Sequence, residues 1–588
     1  MNYITKNNTI IFSPEFNDEL DLDIISKHTR LIFSDYHLNA NLFSKYKNHC
    51  FSNMIYIGSK FNRPLNNLPL KLTHLTFGAL FNIEVGVQET LFENNIYYPH
   101  QKILKYNLPP NITHLTFGNR FNQEVNKLPS KLTHLTFGRD FNKSINNLPH
   151  NITHLTLGYR FNQEINNLPP KLTYLIFGHY FNKLIDNLPH GLTHLTLGYK
   201  FNQEVNNLPQ KLTYLIFGYD FNKLVDNLPP KLTHLKFGSE FNQAVNNLPL
   251  GLIHLTFGYN FNKPIDNLPS KLIYLKMGKK FDKPIDNLPT KLTCLILNSN
   301  FAHEINNLPL HLIHLTLGEM FNKEVNELPS NLNHLTFKSR FNQKVDYLSP
   351  NLTHITFGYY FNQVVNNLPP KLTHLIFGYY FNQEVDNLPP KLTHLIFGYY
   401  FNQEVDNLPS DLTHLTFDRN FNQKINYLPP KITHLTLGHV FNQKINKLPQ
   451  HITHLTLGFN FNQNFDLASS IRYVRLDCNN QYIVNNLPNS VEELEFDYNF
   501  NLELNNLPTS IRKITFDKHC QFNKELNCLP NFVEFLQLPN YYEKKILQIP
   551  SGLKKIVCGR YYEFINDYIS YDMKCFRNKQ YFENEDSE

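Results

Sequence analysis

From Phe161 to Tyr180 the chain reads FNQEINNLPPKLTYLIFGHY, and nearly the same twenty residues lie on either side of it. FNKSINNLPHNITHLTLGYR (Phe141 to Arg160) precedes it and FNKLIDNLPHGLTHLTLGYK (Phe181 to Lys200) follows. Between Phe121 and Phe461 a phenylalanine stands at every twentieth position without a miss. The residue after it is Asn except at Asp282 and Ala302, and a proline closes the next segment at Pro129, Pro149 and onward to Pro449, slipping only at Ser349-Pro350. The unit is therefore FNxxINNLPxKLTHLTFGxx. A fixed period of this length marks stacked coils rather than separate globular domains. A proline in every unit, usually with a glycine, leaves no helical run of useful length. In Leu135-Thr136-Phe137 the two large apolar groups share one face, as in a short strand, and Asn146, Asn147 and Pro149 return the chain through turns. The fold expected is a β-rich solenoid of about 25 twenty-residue coils, each with one short parallel strand.

The pattern loosens at both ends. Residues 1–54 read as degenerate repeats and an N-terminal cap, with Leu31 to Ser34 a worn copy, and 55–477 as the regular solenoid. Within it Ile55, Tyr56, Ile57 and Gly58 resemble the end of a unit, and 86–107 keeps the register while losing the motif. One residue is deleted near Cys478; 478–565 carries irregular repeats and 566–588 a C-terminal cap and tail.

Coils stacked at about 4.8 Å place equivalent side chains in files. Leu132, Leu135, Phe137, Ile145 and Leu148 and their counterparts fill the interior, with Phe121, Phe141 and Phe161 as an aromatic spine. Asn122, Asn142, Asn162, Asn182 and Asn202 form a structural ladder, because an amide can bond backbone groups of neighbouring coils where the strand ends. Gly138 and its counterparts suggest positive φ or a bulge, though Asn298, Lys338 and Asp418 stand in the same file. The file before Leu135 holds His134, His154, Tyr174, His194, Tyr214, His234, His254, His354, His374 and His394, facing solvent. Three readings apply to it: a row packed on the Thr136 file, a partner-binding stripe, or metal ligands. A single flat row supplies no tetrahedral shell, so no metal and no cofactor are assigned. Protonating the row is expected to weaken stability or binding below about pH 6.

Composition narrows the function. Of the 588 residues 41% are hydrophobic and 18% charged, enough apolar material for a core. A net charge of +6 spread over this length argues against a nucleic-acid binder, and no apolar run is long enough to cross a membrane. The first residues lack the zones of a signal peptide, and seven cysteines suggest a reducing, intracellular setting, so Asn-x-Thr triplets such as Asn111-Ile112-Thr113 read as repeat residues. No phosphate loop, HExxH, G-x-S-x-G or kinase signature is present, and no enzymatic activity is expected.

The wording FNxxINNLPxxLTHLTFG resembles the FNIP-repeat family, a branch of leucine-rich-repeat-like sequences abundant in slime moulds and large amoebal viruses. Leu132, Leu135 and Phe137 match L-x-x-L-x-L, while Asn142 stands two places beyond the usual Asn. The resemblance implies a leucine-rich-repeat-like scaffold that binds a protein partner, in the cytoplasm of an amoebal or infected host cell. The alternative is a structural rod or virus-particle component. Partner identity, oligomeric state and curvature are not fixed by the sequence.

Overall fold

Each coil begins its strand after a Leu-Pro turn and leaves it at a glycine, so three or four residues are all that the unit can hold in extended form. The computed structural model describes residues 3–35, 59–63, 65, 68–85, 108–559, 561–568 and 574–577. They divide into two units, 1–298 and 299–588. The division falls inside the stretch expected to be uniform, beside the coil where Cys294, Asn298 and Ala302 depart from three files at once.

The first unit opens with β1 (Tyr3–Lys6) antiparallel to β2 (Thr9–Phe12). Asn7 and Asn8 make the tight turn at φ 44° and 59°, left-handed values that asparagine tolerates. From β2 onward pairing is parallel, through β3 (Arg30–Phe33), β4 (His74–Thr76) and β5 (His114–Thr116). Nine further strands, β6 (His134–Thr136) to β14 (Cys294–Ile296), stand one coil apart in register, as in His134↔His154, Leu135↔Leu155 and Thr136↔Thr156. The second unit repeats this from β15 (His314–Leu317) to β22 (His454–Leu457). It continues through β23 (Tyr473–Leu476), β24 (Glu493–Phe496), β25 (Lys513–Phe516), β26 (Phe535–Gln537), β27 (Lys555–Cys558) and β28 (Lys574–Arg577). Among the described residues, helix is confined to Leu22–Ile25, Gln481–Asn485 and a 3₁₀ turn at Glu563–Tyr568. Each unit is thus the parallel β-solenoid that the period implies.

The spine phenylalanines are wholly buried, and Phe141, Phe161 and Phe181 stack at 6.0–6.1 Å between centroids. Where the strand ends in Phe, that ring lies on the spine ring of its own coil, 3.7 Å apart for Phe137 and Phe141. At Asn480 the aromatic file is interrupted: this buried amide caps the helix Gln481–Asn485, accepting from the Ile483 N–H. The file resumes with Phe500, Phe522, Tyr542 and Tyr562.

At the corner after the spine, the backbone N–H of Asn142 donates to Oδ1 of Asn122 at 2.9 Å. Asn162 does the same to Asn142, and the pattern recurs through Asn202 and again along the second unit. The amide file therefore satisfies backbone donors where the strand ladder has stopped.

Several expectations need correcting. His74 pairs directly with His114 and Phe81 stacks on Phe121 at 6.2 Å, so these two coils are immediate neighbours; 86–107 lies outside the described residues. Likewise β3 pairs directly with β4 and Phe33 stacks on Phe61 at 4.0 Å. Ile55 to Gly58 lie outside the described residues. The deletion falls between Phe461 and Ile471, since Tyr473 pairs with His454. The glycine file is not a positive-φ file. It is a site of close approach: a Cβ on Gly138 would stand 2.1 Å from the Gly118 carbonyl oxygen. Where Lys338, Asp477, Asp497 or Asp517 holds the position, its N–H instead donates to the preceding coil and prolongs the ladder.

Two substitutions test this packing. Phe381→Ala, which empties a fully buried site in the spine, is expected to cost about 3–5 kcal/mol in denaturant unfolding. Gly378→Ala places a Cβ 1.7 Å from the Gly358 carbonyl oxygen and is expected to cost about 1–3 kcal/mol.

Candidate functional site: the outward strand face

Alternation along a strand turns residues 134 and 136 of each coil outward while 135 enters the core, and the burial of β6 follows that order. The predicted His and Tyr residues all occupy this face. In the first unit His134, His154, Tyr174, His194, Tyr214, His234 and His254 hold successive rungs. In the second His354, His374 and His394 do so. Consecutive imidazoles stack face to face, 4.1 Å apart for His114 and His134 and for His374 and His394. Where tyrosine alternates the spacing opens, to 5.5 Å between His154 and Tyr174.

The polar partner of most histidines in the row is the threonine just before them; Ile253, Ile313 and Asn333 take that place before His254, His314 and His334. The Thr133 hydroxyl donates to the Thr113 carbonyl at 3.0 Å and lies 2.9 Å from Nδ1 of His134. Thr373 and Thr393 repeat the arrangement beside His374 and His394. Asn122, Asn142, Asn162, Asn182 and Asn202 lie at the coil corners rather than on this face, and Phe121, Phe141 and Phe161 are in the core.

Beside the imidazoles runs a second aromatic file, one not singled out from the sequence. In the first unit Tyr159, His179, Tyr199 and Tyr219 stack at 4.4–4.5 Å, with the Arg139 guanidinium 5.3 Å from the Tyr159 ring centre. In the second the file is doubled. Tyr359, Tyr379 and Tyr399 stack at 4.5 Å, and Tyr360, Tyr380 and Tyr400 beside them at 5.2–5.4 Å. Edge-on contacts join the two rows, as between Tyr379 and Tyr400 at 5.2 Å. Between tyrosines and imidazoles, Ile376 and Ile396 replace threonine and remain 37% exposed. The doublet Tyr-Tyr recurring at twenty residues was the signal for this patch.

Toward the C-terminus the face turns ionic. Tyr473 donates to Glu495 at 2.7 Å, Arg475 pairs with Asp497 and Glu495, and Lys513 with Glu493 at 2.7 Å. Among the described residues no group of three or more His, Cys, Asp or Glu side chains could hold a metal ion, and no helix is long and apolar enough to cross a membrane.

Partial burial, followed by the charge of neighbouring groups, lowers the imidazole pKa values. His74, His114, His134, His354 and His434 are brought down to about 4, and His154, His234, His374 and His394 shift the same way. These rings take up protons less readily folded than unfolded, where the ordinary value near 6.5 applies. The stability they contribute is complete above about pH 6.5 and is lost as the pH falls from there toward 4. The melting temperature is expected to drop by at least about 5 °C between pH 7.5 and pH 5, and less when His354, His374, His394, His414, His434 and His454 are all glutamine.

Comparison with known proteins accords with this geometry. The FNIP Repeat family model matches residues 99–280 in overlapping segments, 344–440 and 479–519. Among solved structures, the circular leucine-rich-repeat protein CroV588 is 37% identical, aligned over 98% of this chain and 96% of its own, with a TM-score of 0.73. YopM from Yersinia enterocolitica is 23% identical over 71% of this chain and 90% of its own, with a TM-score of 0.48. No curated protein matches the sequence significantly. More than half of the chain falls under the family model, and the chain belongs to the FNIP-repeat family, as a scaffold of leucine-rich-repeat type.

Proposed function

We propose that this protein is a non-catalytic scaffold that binds a protein partner through the outward strand face, with the patch at residues 354–416 of the second unit as its centre. One observation carries the reading. Over these coils the outward side chains are His354, His374, His394 and His414, then Thr356, Ile376, Ile396 and Thr416, and beyond them two rows of tyrosines. No charged residue interrupts these positions. Exposed tyrosine and isoleucine without charge is the composition of an interface centre rather than of an idle surface. Stacked aromatic rows also lose little entropy on binding, because their rotamers are already held by neighbours.

A cytoplasmic setting is part of this reading. It is supported by free cysteines at Cys478 and Cys520, both buried, which a reducing medium would leave as thiols. The alternative of a structural rod draws on the near-identity of residues 371–390 and 391–410, which a purely mechanical repeat would also show.

Affinity purification of the full chain, compared with Ile376→Glu/Ile396→Glu, separates the two. The scaffold reading expects a stoichiometric protein retained by the native chain and lost from the variant, at unchanged melting temperature. Equal recovery from both, or recovery of nothing but further copies of the chain, would favour the rod.

A further inference from the structure

One column of the outward face carries no side chain over residues 354–416. Gly358, Gly378 and Gly398 stand there in successive coils, with Lys338 in the same column one coil before and Asp418 one coil after. On one side of this bare strip Ile376 and Ile396 remain 37% exposed. On the other side stands the row Tyr359, Tyr379 and Tyr399. The result is a shallow trough running along the stack, four coil steps or about 19 Å from Lys338 to Asp418.

The walls are firm and uncharged. Each tyrosine is stacked on its neighbours at 4.5 Å and braced edge-on by the second row at 5.2 Å, so the rings do not turn aside. Exposed phenols offer O–H donors, and no charge lies between the ends to attract an ionic ligand. An occupant must be long, narrow, uncharged and rich in acceptors, and must lie along the stack. A β-strand repeats every two residues, about 6.6–6.8 Å, out of step with coils about 4.8 Å apart. Polyproline II repeats every three residues, about 9.3 Å, close to the roughly 9.6 Å of two coils, so every third side chain meets the same surroundings. Its backbone makes no internal hydrogen bonds, which leaves its carbonyls to accept from the phenols, and proline has no N–H to leave unpaired. Aromatic-lined grooves are a recurring means of holding this conformation.

We propose that this trough binds a proline-rich segment in the polyproline II conformation, laid along the stacking direction between Lys338 and Asp418. The inference rests on the scaffold reading and names the part of the partner that the scaffold holds. Six residues at about 3.1 Å each span the strip from end to end. The first unit supplies the comparison. Its glycine strip also runs beside Tyr159, Tyr199 and Tyr219, but the adjoining row is Arg160, Tyr180, Lys200 and Asp220, with Lys200 paired to Asp220 at 3.0 Å. Charge replaces the second tyrosine row there, so the segment is assigned to the second unit.

The test is fluorescence anisotropy of a dye-labelled, end-blocked L-proline octamer titrated with the full chain. Saturable binding is expected, and at least about tenfold weaker binding of the D-proline octamer, which has the same composition in a helix of opposite hand. Tyr359→Phe/Tyr379→Phe/Tyr399→Phe keeps the rings, removes the hydroxyls and is expected to weaken binding about tenfold. Tyr159→Phe/Tyr199→Phe/Tyr219→Phe, the same change in the first unit, is expected to leave it unaltered. Circular dichroism matching that of the native chain shows each variant folded. No saturable binding, equal affinity for the two octamers, or equal effects of the two triple variants would overturn the proposal. If the octamer fails while a protein partner is retained by the native chain and lost from Ile376→Glu/Ile396→Glu, the polyproline assignment falls and the scaffold reading stands.

Discussion

Within each unit the described coils are hydrogen-bonded to their neighbours in register, and that constraint generates the rest of the structure. At the entry to the strand one carbonyl serves two backbone donors besides the Thr133 hydroxyl: Thr113 O accepts from the N–H of Thr133 at 2.9 Å and of His134 at 3.0 Å. At the exit, the Asn142 N–H finds Oδ1 of Asn122. Between these anchors the three-residue strand cannot slip by one position without carrying Leu135 from core to solvent. Register held at both ends turns a sequence repeat into files of like side chains.

The files then acquire properties that a single coil lacks. A lone Phe141 would be an ordinary core residue; in file it joins a stack running through neighbouring coils, with a second ring from Phe137 lying against it. A lone His134 would be a surface imidazole near its ordinary acidity. In file it is shielded by rings above and below and held by Thr133, with its basicity reduced. Outward files also record where successive coils have diverged. Tyrosine replaces every second histidine over residues 174–214, tyrosine pairs gather at 359–400, and ion pairs take over from Arg472 onward.

Much of this was legible in the sequence because a twenty-residue period fixes both the winding and the facing of every residue. The Phe spine and the Asn ladder follow directly from position. What the sequence left obscure has physical causes. A spacing of forty residues between His74 and His114 fits two coils or one coil with an insertion, and only the direct pairing of their strands decides it. Glycine at 138 suits a left-handed turn as well as a close approach; the choice rests on the neighbouring coil's carbonyl, which no local motif reveals. Thr133 as the partner of His134 was hidden because adjacent residues point to opposite faces within a strand, whereas Thr133 stands just before the strand begins.

The central claim is that residues twenty apart are lateral neighbours. Thr416 and Thr436 are paired across adjacent strands, so cysteines at these positions would have Cα atoms about 4.8 Å apart, within disulfide range. Peptide mapping of Thr416→Cys/Thr436→Cys after mild oxidation should find them joined to each other in nearly every molecule. Thr416→Cys/His434→Cys, one column out of line, should stay largely unlinked. Equal cross-linking in both chains, or none in the first, would contradict the winding on which the account is built.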